Sequence, residues 1–367
     1  MAARAYPGEV GTGSPARICA NMERTIPVSV LTGFLGSGKT TLLSHLLRQP
    51  ELSRAAVIIN EFGEIGLDHE LVETSEDSVI ALTTGCLCCK VRSDLTQTLH
   101  DLLRRRDAGA LPQEFDHIII ETSGLADPAP ILHAVMTDAG LAERVTLGSV
   151  VTTVDAVAGE VTLEREAVSR KQVAVADRIV LSKLDLAGGD AASLLRRVAA
   201  LNPGAPTLRA VRGRIEAASL FATALSDLRR IATPEIDAWL GEALAHGHAH
   251  HDAEIRAYTV VRAAPIRAVA LTLFLEALAE HCGADLLRLK GIVNIAESPE
   301  RPAVIHGVQH VFHAPTWLER WPSADRTSRM VFITRRVPQD WVELLLDAVS
   351  AEVECVSATA ECGRRMG

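Results

Sequence analysis

Aromatic residues are scarce: 4 Trp, 2 Tyr and 7 Phe make up 4% of the 367 residues. Because 48% of the chain is nonetheless hydrophobic, its cores have to be built mainly from Ala, Val, Leu and Ile. Positive charge is also in deficit. The 37 Lys and Arg are outnumbered by 46 Asp and Glu, giving a formal net charge of -9. Phosphate backbones are bound by clustered cations, so this balance argues against a nucleic-acid partner. The short basic run Arg104-Arg105-Arg106 reads as a solvated helix end. No apolar run approaches the roughly 18 residues that a membrane span needs, so no membrane partner is expected. No apolar h-region opens the sequence, which sets the expectation of a cytoplasmic rather than a secreted protein.

At roughly 100 to 200 residues per domain the chain has room for two. Residues 1–25, rich in Ala, Gly, Pro and Arg and without periodicity, are expected to form a flexible tail. The next feature carries chemistry. Gly33-Phe-Leu-Gly-Ser-Gly-Lys-Thr40 fits GxxxxGK[S/T] at every fixed position, entered from the apolar run Val28–Leu31 and left through a helical spacing of Leu42, Leu43, Leu46 and Leu47. In that strand, loop, helix context, glycines let successive N–H groups converge on a phosphate, and the helix N-terminus adds favourable partial charge. Gly33, Gly36, Ser37, Gly38, Lys39, Thr40 and Thr41 are therefore the expected phosphate-binding residues. Lys39 is expected to reach the terminal phosphates and the Thr40 hydroxyl to ligate Mg²⁺.

Further along, Ala55–Ile59, Ser78–Leu82, His117–Ile120, Ser149–Val154 and Arg178–Leu181 are short apolar runs that alternate with helical patterns and end in polar residues. This alternation predicts an α/β fold, a P-loop domain over residues 26–215 whose mostly parallel sheet is wrapped by helices, with ligand groups at the carboxyl ends of the strands. Residues 216–253 read as a helical linker that ends in the His-rich loop His246-Gly-His-Ala-His-His251. That loop is either a solvated turn or a weak metal collector. From 254 to 355, strands at Tyr258–Val261, Gly291–Ile295, Ala303–Ile305, Gln309–Phe312 and Met330–Ile333, with helices near 266–281 and 338–351, predict a small α+β domain with a mostly antiparallel sheet. Residues 356–367 are expected to be a tail.

Two clusters narrow the chemistry. Ser182-Lys183-Leu-Asp185 resembles the guanine-recognition pattern NKxD: a carboxylate after a buried strand can accept from the N1–H and the exocyclic amine of guanine, a donor pair that adenine lacks. Ser182 departs from the commoner Asn and supplies fewer contacts; an ordinary Asp helix cap is the bland alternative. Gly85-Cys-Leu-Cys-Cys89 places three of the seven cysteines within four residues, and such clustering in a cytosolic chain points to metal rather than disulfide. Thiolates suit Zn²⁺ and related late transition metals. Cys86, Cys88 and Cys89 can converge only where the chain turns, as Gly85 permits; three buried thiols are the alternative. His306, His310 and His313 are read as packing residues.

Together the Gly33–Thr40 loop, Asn60-Glu-Phe-Gly-Glu-Ile-Gly-Leu-Asp68, Gly85–Cys89, Glu121-Thr-Ser-Gly-Leu-Ala-Asp-Pro128 and Ser182–Asp185 resemble the CobW-type metallochaperone GTPases, relatives of UreG and HypB. Arg288-Leu-Lys-Gly291, His306–His313 and Trp321-Pro322 resemble that family's C-terminal domain. The resemblance spans about residues 26–350 and rests on the combination of motifs. It implies a GTPase with GTP and Mg²⁺ as cofactors, which carries Zn²⁺ or Co²⁺ on Cys86, Cys88 and Cys89 and releases it to a client metalloprotein after hydrolysis. It further implies a first switch over Asn60–Asp68, with Glu61 or Asp68 near Mg²⁺ or the carried metal. Glu121 takes the Walker-B position, Gly124 gives its N–H to the γ-phosphate, and Lys39 and Glu121 are the expected catalytic residues, with no base for the attacking water assigned. A nucleotide-dependent homodimer is the implied assembly. The rival readings are a P-loop kinase of a small metabolite, which needs neither SKxD nor CxCC, and a buffer protein that only sequesters metal.

Overall fold

The computed structural model describes residues 25–60, 80–83, 91–111, 114–187, 191–221, 254–313 and 315–365. The expectations for the N-terminal tail, Glu61, Asp68, the Cys86, Cys88 and Cys89 cluster and the His-rich loop fall outside these described residues.

The apolar runs of the first half form strands β1 (Ile26–Gly33), β2 (Ala55–Asn60), β3 (Ile80–Thr83), β4 (His117–Thr122), β5 (Val145–Asp155), β6 (Arg178–Ser182) and β7 (Thr207–Arg209). They pair in parallel as one 7-stranded sheet in the order β3-β2-β4-β1-β5-β6-β7. Around it lie α1 (Lys39–Leu46), α2 (Val91–Asp107), α3 (Ala129–Thr137), α4 (Ala139–Ala142), α5 (Gly159–Arg165), α6 (Ala167–Val175), α7 (Ala192–Leu201) and α8 (Ala217–Phe221). Both sheet faces are covered. In β4, Ile118 and Ile120 pack with Leu99 and Leu132 on one side, whereas Ile119 packs with Leu43 and Val151 on the other. Side chains alternate across a strand, so a sheet buried on both faces requires a continuous apolar run, and that is why these strands read as Ile-Ile-Ile rather than as alternating residues. With β1 central and the chain departing to both sides of it, the carboxyl ends of β1, β4, β5 and β6 meet along one edge.

The second half comprises β8 (Ile255–Arg262), α9 (Ala268–Cys282), β9 (Leu286–Val293), β10 (Ala303–Val308), β11 (Val311–Phe312), β12 (Thr316–Trp317), β13 (Ser328–Arg335) and α10 (Gln339–Arg365). Its sheet is antiparallel, in the order β11-β10-β9-β13-β8 with β12 also on β10. One face, with Val260, Leu289, Met330 and Phe332, packs on Phe274 and Leu278 of α9 and on Val342 and Leu346 of α10. Through the other face, Ile255, Leu287, Val308 and Ile333 join the core of the parallel domain.

Several elements differ from the sequence expectation: β5 starts at Val145 rather than Ser149, and the short strands β7 and β12 were not expected. Strand β9 starts at Leu286, not Gly291, and ends at Val293. Its charged residues Arg288 and Lys290 interrupt the apolar pattern, yet both are buried, at 3% and 4% exposure, because they meet Asp177 of the parallel domain at 2.6 and 2.8 Å. The last helix runs through Arg365 rather than stopping near 351, since after Pro338 there is no further proline and no glycine before Gly363. None of the described helices is long and apolar enough to cross a membrane.

Candidate nucleotide site

Every described residue expected to meet the nucleotide lies at the carboxyl edge of the parallel sheet. β1 ends in Gly33, where an added Cβ would run into Thr153 of the neighbouring β5, so only glycine lets the two backbones come this close. Gly36 and Gly38 have φ of 69° and 91°, the left-handed conformation that turns the loop back into α1. Ser37, almost fully buried, shares a 2.6 Å hydrogen bond with the Thr153 hydroxyl, and Ser182 Oγ donates to the Ser37 carbonyl at 2.6 Å. The loop is thus held from β5 and β6. Lys39 is buried at 7% exposure, its Nζ donating to the Gly33 and Phe34 carbonyls at 3.0 and 3.3 Å, which puts the ammonium inside the loop that the phosphates would enter. Thr41 follows in the first turn of α1, with its side chain exposed.

The Thr40 hydroxyl donates to Glu121 Oε1 at 2.8 Å, joining residues 81 apart in sequence. A hydroxyl and a buried carboxylate beside a phosphate loop are hard oxygen donors, the set that Mg²⁺ takes. Gly124 lies against the loop itself. A Cβ there would stand 2.7 Å from Leu35 N and 2.8 Å from Leu35 Cα, so the chain after Glu121 touches the P-loop backbone. Among the described residues no group of three or more His, Cys, Asp or Glu could hold a metal ion.

At the end of β6, Lys183 adopts φ of 56° and its Nζ donates to Asp155 Oδ2 at 2.8 Å. Burial alone would raise the Asp155 pKa. The Lys183 ammonium and the N–H groups of Val157 and Ala158 outweigh it and hold the carboxyl below its usual range. Asp185 is an exposed residue whose side chain is 24% accessible; it faces Arg212 Nε at 3.5 Å, and the turn carrying Arg212 packs on α1, Gly213 lying against Thr41 and His45. The sequence reading missed Thr153, Asp155 and Arg212 as site residues. Asp155 had a weak signal, a carboxylate closing an apolar strand; Arg212 had none, because it sits in a turn whose proximity to Asp185 only the fold creates.

The comparisons with known proteins agree with this geometry. Residues 27–209 match the CobW/HypB/UreG nucleotide-binding domain, and residues 255–350 match the cobalamin synthesis protein cobW C-terminal domain. The zinc chaperone YjiA of Escherichia coli is 35% identical over 315 residues, 86% of this chain and 96% of the relative. The zinc chaperone CobW of a Sinorhizobium species is 32% identical, over 75% of this chain and 83% of its own length. The crystal structure of Zn(II)-bound YjiA GTPase from E. coli superposes with a TM-score of 0.67 at 28% identity, covering 89% of this chain and 99% of that one. A P-loop whose glycines, Thr40 and Glu121 meet at one sheet edge, followed by the matching C-terminal domain, makes this chain a member of the CobW family.

Proposed function

We propose that the chain hydrolyses GTP and uses the cycle to load and release a transition metal, Zn²⁺ or Co²⁺, carried on Cys86, Cys88 and Cys89 and delivered to a client metalloprotein. The observation that carries the hydrolytic half is the 2.8 Å contact between Thr40 and Glu121 beside the buried Lys39. In this reading the N–H groups of Gly36, Ser37 and Gly38 bind the β-phosphate, and Lys39 exchanges its contacts with the loop carbonyls for terminal phosphate oxygens. Thr40 and Glu121 would hold Mg²⁺, which supplies charge neutralisation between the phosphates. Asp185 reads the guanine edge once its exposed partner Arg212 has turned away, and Gly124 gives its N–H to the γ-phosphate.

The relatives' names, zinc chaperone in both cases, support the metal half and favour Zn²⁺ over Co²⁺. The γ-phosphate then acts as a two-state bias on the segments around the cysteines, ordered with GTP and released after hydrolysis. The test is GTP turnover with Mg²⁺ in the whole chain. Wild type should release phosphate from GTP in preference to ATP, and Lys39→Ala should lose activity by at least about a hundredfold. Equal use of ATP, or phosphate transfer to an added small metabolite, would support the kinase reading instead.

A further inference from the structure

Helix α6 touches both the loop after Glu121 and the boundary with the C-terminal domain. Gln172 is fully buried in it. The Gln172 amide Nε2 donates to the carbonyls of Gly124 at 3.2 Å and Ala126 at 3.0 Å, and the Gln172 backbone carbonyl accepts the Thr152 hydroxyl at 2.7 Å. The preceding residue on the helix, Lys171, pairs through Nζ with Asp127 at 2.9 Å. A glutamine side chain is mostly exposed in proteins; here the buried amide holds two carbonyls of the single turn that follows Ser123, in a loop with no helix or strand of its own.

Two residues past the end of α6, Asp177 takes the other role. Its Oδ2 accepts from Val150 N at 2.9 Å, while its Oδ1 takes Arg288 at 2.6 Å and Lys290 at 2.8 Å, both from β9 of the C-terminal domain. Asp177 also directly precedes β6, whose last residue Ser182 donates to the P-loop at Ser37. A displacement of the Gly124–Asp127 loop is therefore resisted by α6, and α6 cannot shift without disturbing the buried ion cluster on β9.

We propose that Gln172 is a positioning residue for the γ-phosphate loop and that, through α6 and Asp177, it passes the state of that loop to the Arg288 and Lys290 strand of the C-terminal domain. This rests on the reading that Gly124 meets the γ-phosphate. Contiguity gives the route, and coupling is what has to be measured.

The experiment is hydrogen exchange of the full chain, without metal, loaded with GDP or with a non-hydrolysable GTP analogue, alongside the affinity for each nucleotide. In wild type the exchange of the Leu286–Val293 segment should differ between the two states. Gln172→Leu should bind GDP within about twofold of wild type, bind the GTP analogue about tenfold more weakly, as expected for hydrogen bonds worth roughly 1.4 kcal/mol together, and lose the exchange difference. Should that variant not fold, Lys171→Met removes only the half-buried pair with Asp127 and should cut the difference at least in half. Wild type that binds the analogue without an exchange difference, or a folded variant that keeps the full difference, overturns the inference alone. Wild type that does not bind the analogue removes the GTP reading and this inference with it.

Discussion

At the scale of single residues the site is set by close approaches that tolerate no extra atom. Gly124→Ala places a methyl 2.7 Å from the Leu35 backbone nitrogen, so either the Gly124 segment or the P-loop must shift. The overpacking should cost about 1–3 kcal/mol, and because the Gly124 N–H meets the γ-phosphate in the proposed function, the shift it forces should weaken GTP in particular. Calorimetric titration should therefore find the GTP analogue bound about tenfold more weakly than by wild type, with GDP nearly unaffected. Asp185 gives a second residue-level outcome. As a carboxylate it offers acceptors to both guanine donors, whereas Asn replaces one acceptor oxygen by a donor NH₂. Asp185→Asn should weaken GTP by roughly 10- to 100-fold, one charge-assisted hydrogen bond, and leave ATP affinity unchanged. A competition assay with both nucleotides reads this directly. Thr40, Glu121 and Asp185 were legible in the sequence as residues at the carboxyl edge of the sheet, because each lies in a short contiguous motif after an apolar strand. Thr153 and Arg212 were not, since their roles come from partners on other elements: Thr153 meets Ser37 116 residues away.

At the scale of elements, the joint between the two sheets is an ion cluster rather than apolar packing alone. Burial alone would raise the Asp177 carboxyl; the Arg288 and Lys290 cations outweigh it and hold the pKa far below the usual range. Burial dominates at Lys290 and pushes its pKa down to about 8 despite Asp177. Because the folded Asp177 pKa lies below the unfolded value of about 3.9, its contribution to stability is fully present above that value and is lost as pH falls through the acid range toward the folded one. Asp177→Asn leaves two buried cations without a carboxylate and should cost about 3–5 kcal/mol near neutral pH. Its deficit in Tm relative to wild type should shrink below about pH 4, which a thermal melt series across pH measures. The parallel sheet was readable because both of its faces are covered, which forces continuous apolar runs. The start of β9 was not, because Arg288 and Lys290 look like solvent-facing residues until Asp177, 111 residues away from Arg288, is seen against them. For the same reason Gln172 carried no signal: a single amide in an amphipathic helix reads as a surface residue.

At the scale of the whole molecule, one domain carries a nucleotide loop at its sheet edge, and the adjoining antiparallel sheet shares both its core and its buried charges. In the proposed coupling, this joint is the route by which a change at the nucleotide would reach the second domain. The proposed cargo ligands Cys86, Cys88 and Cys89 lie in sequence between β3 and α2, and hence between the expected first switch and the Glu121 strand. Cys88→Ser should abolish tight Zn²⁺ binding while GTP analogue affinity stays within about twofold of wild type, since a thiolate is lost from a set of three and no phosphate contact is touched. The most direct test of the account is the Zn²⁺ affinity of the full chain measured by competition with a chromogenic chelator, once with GDP and once with a non-hydrolysable GTP analogue in the presence of Mg²⁺. A nucleotide-driven carrier predicts affinities that differ by at least about tenfold, a coupling of roughly 1.4 kcal/mol; equal affinities in the two states would contradict it.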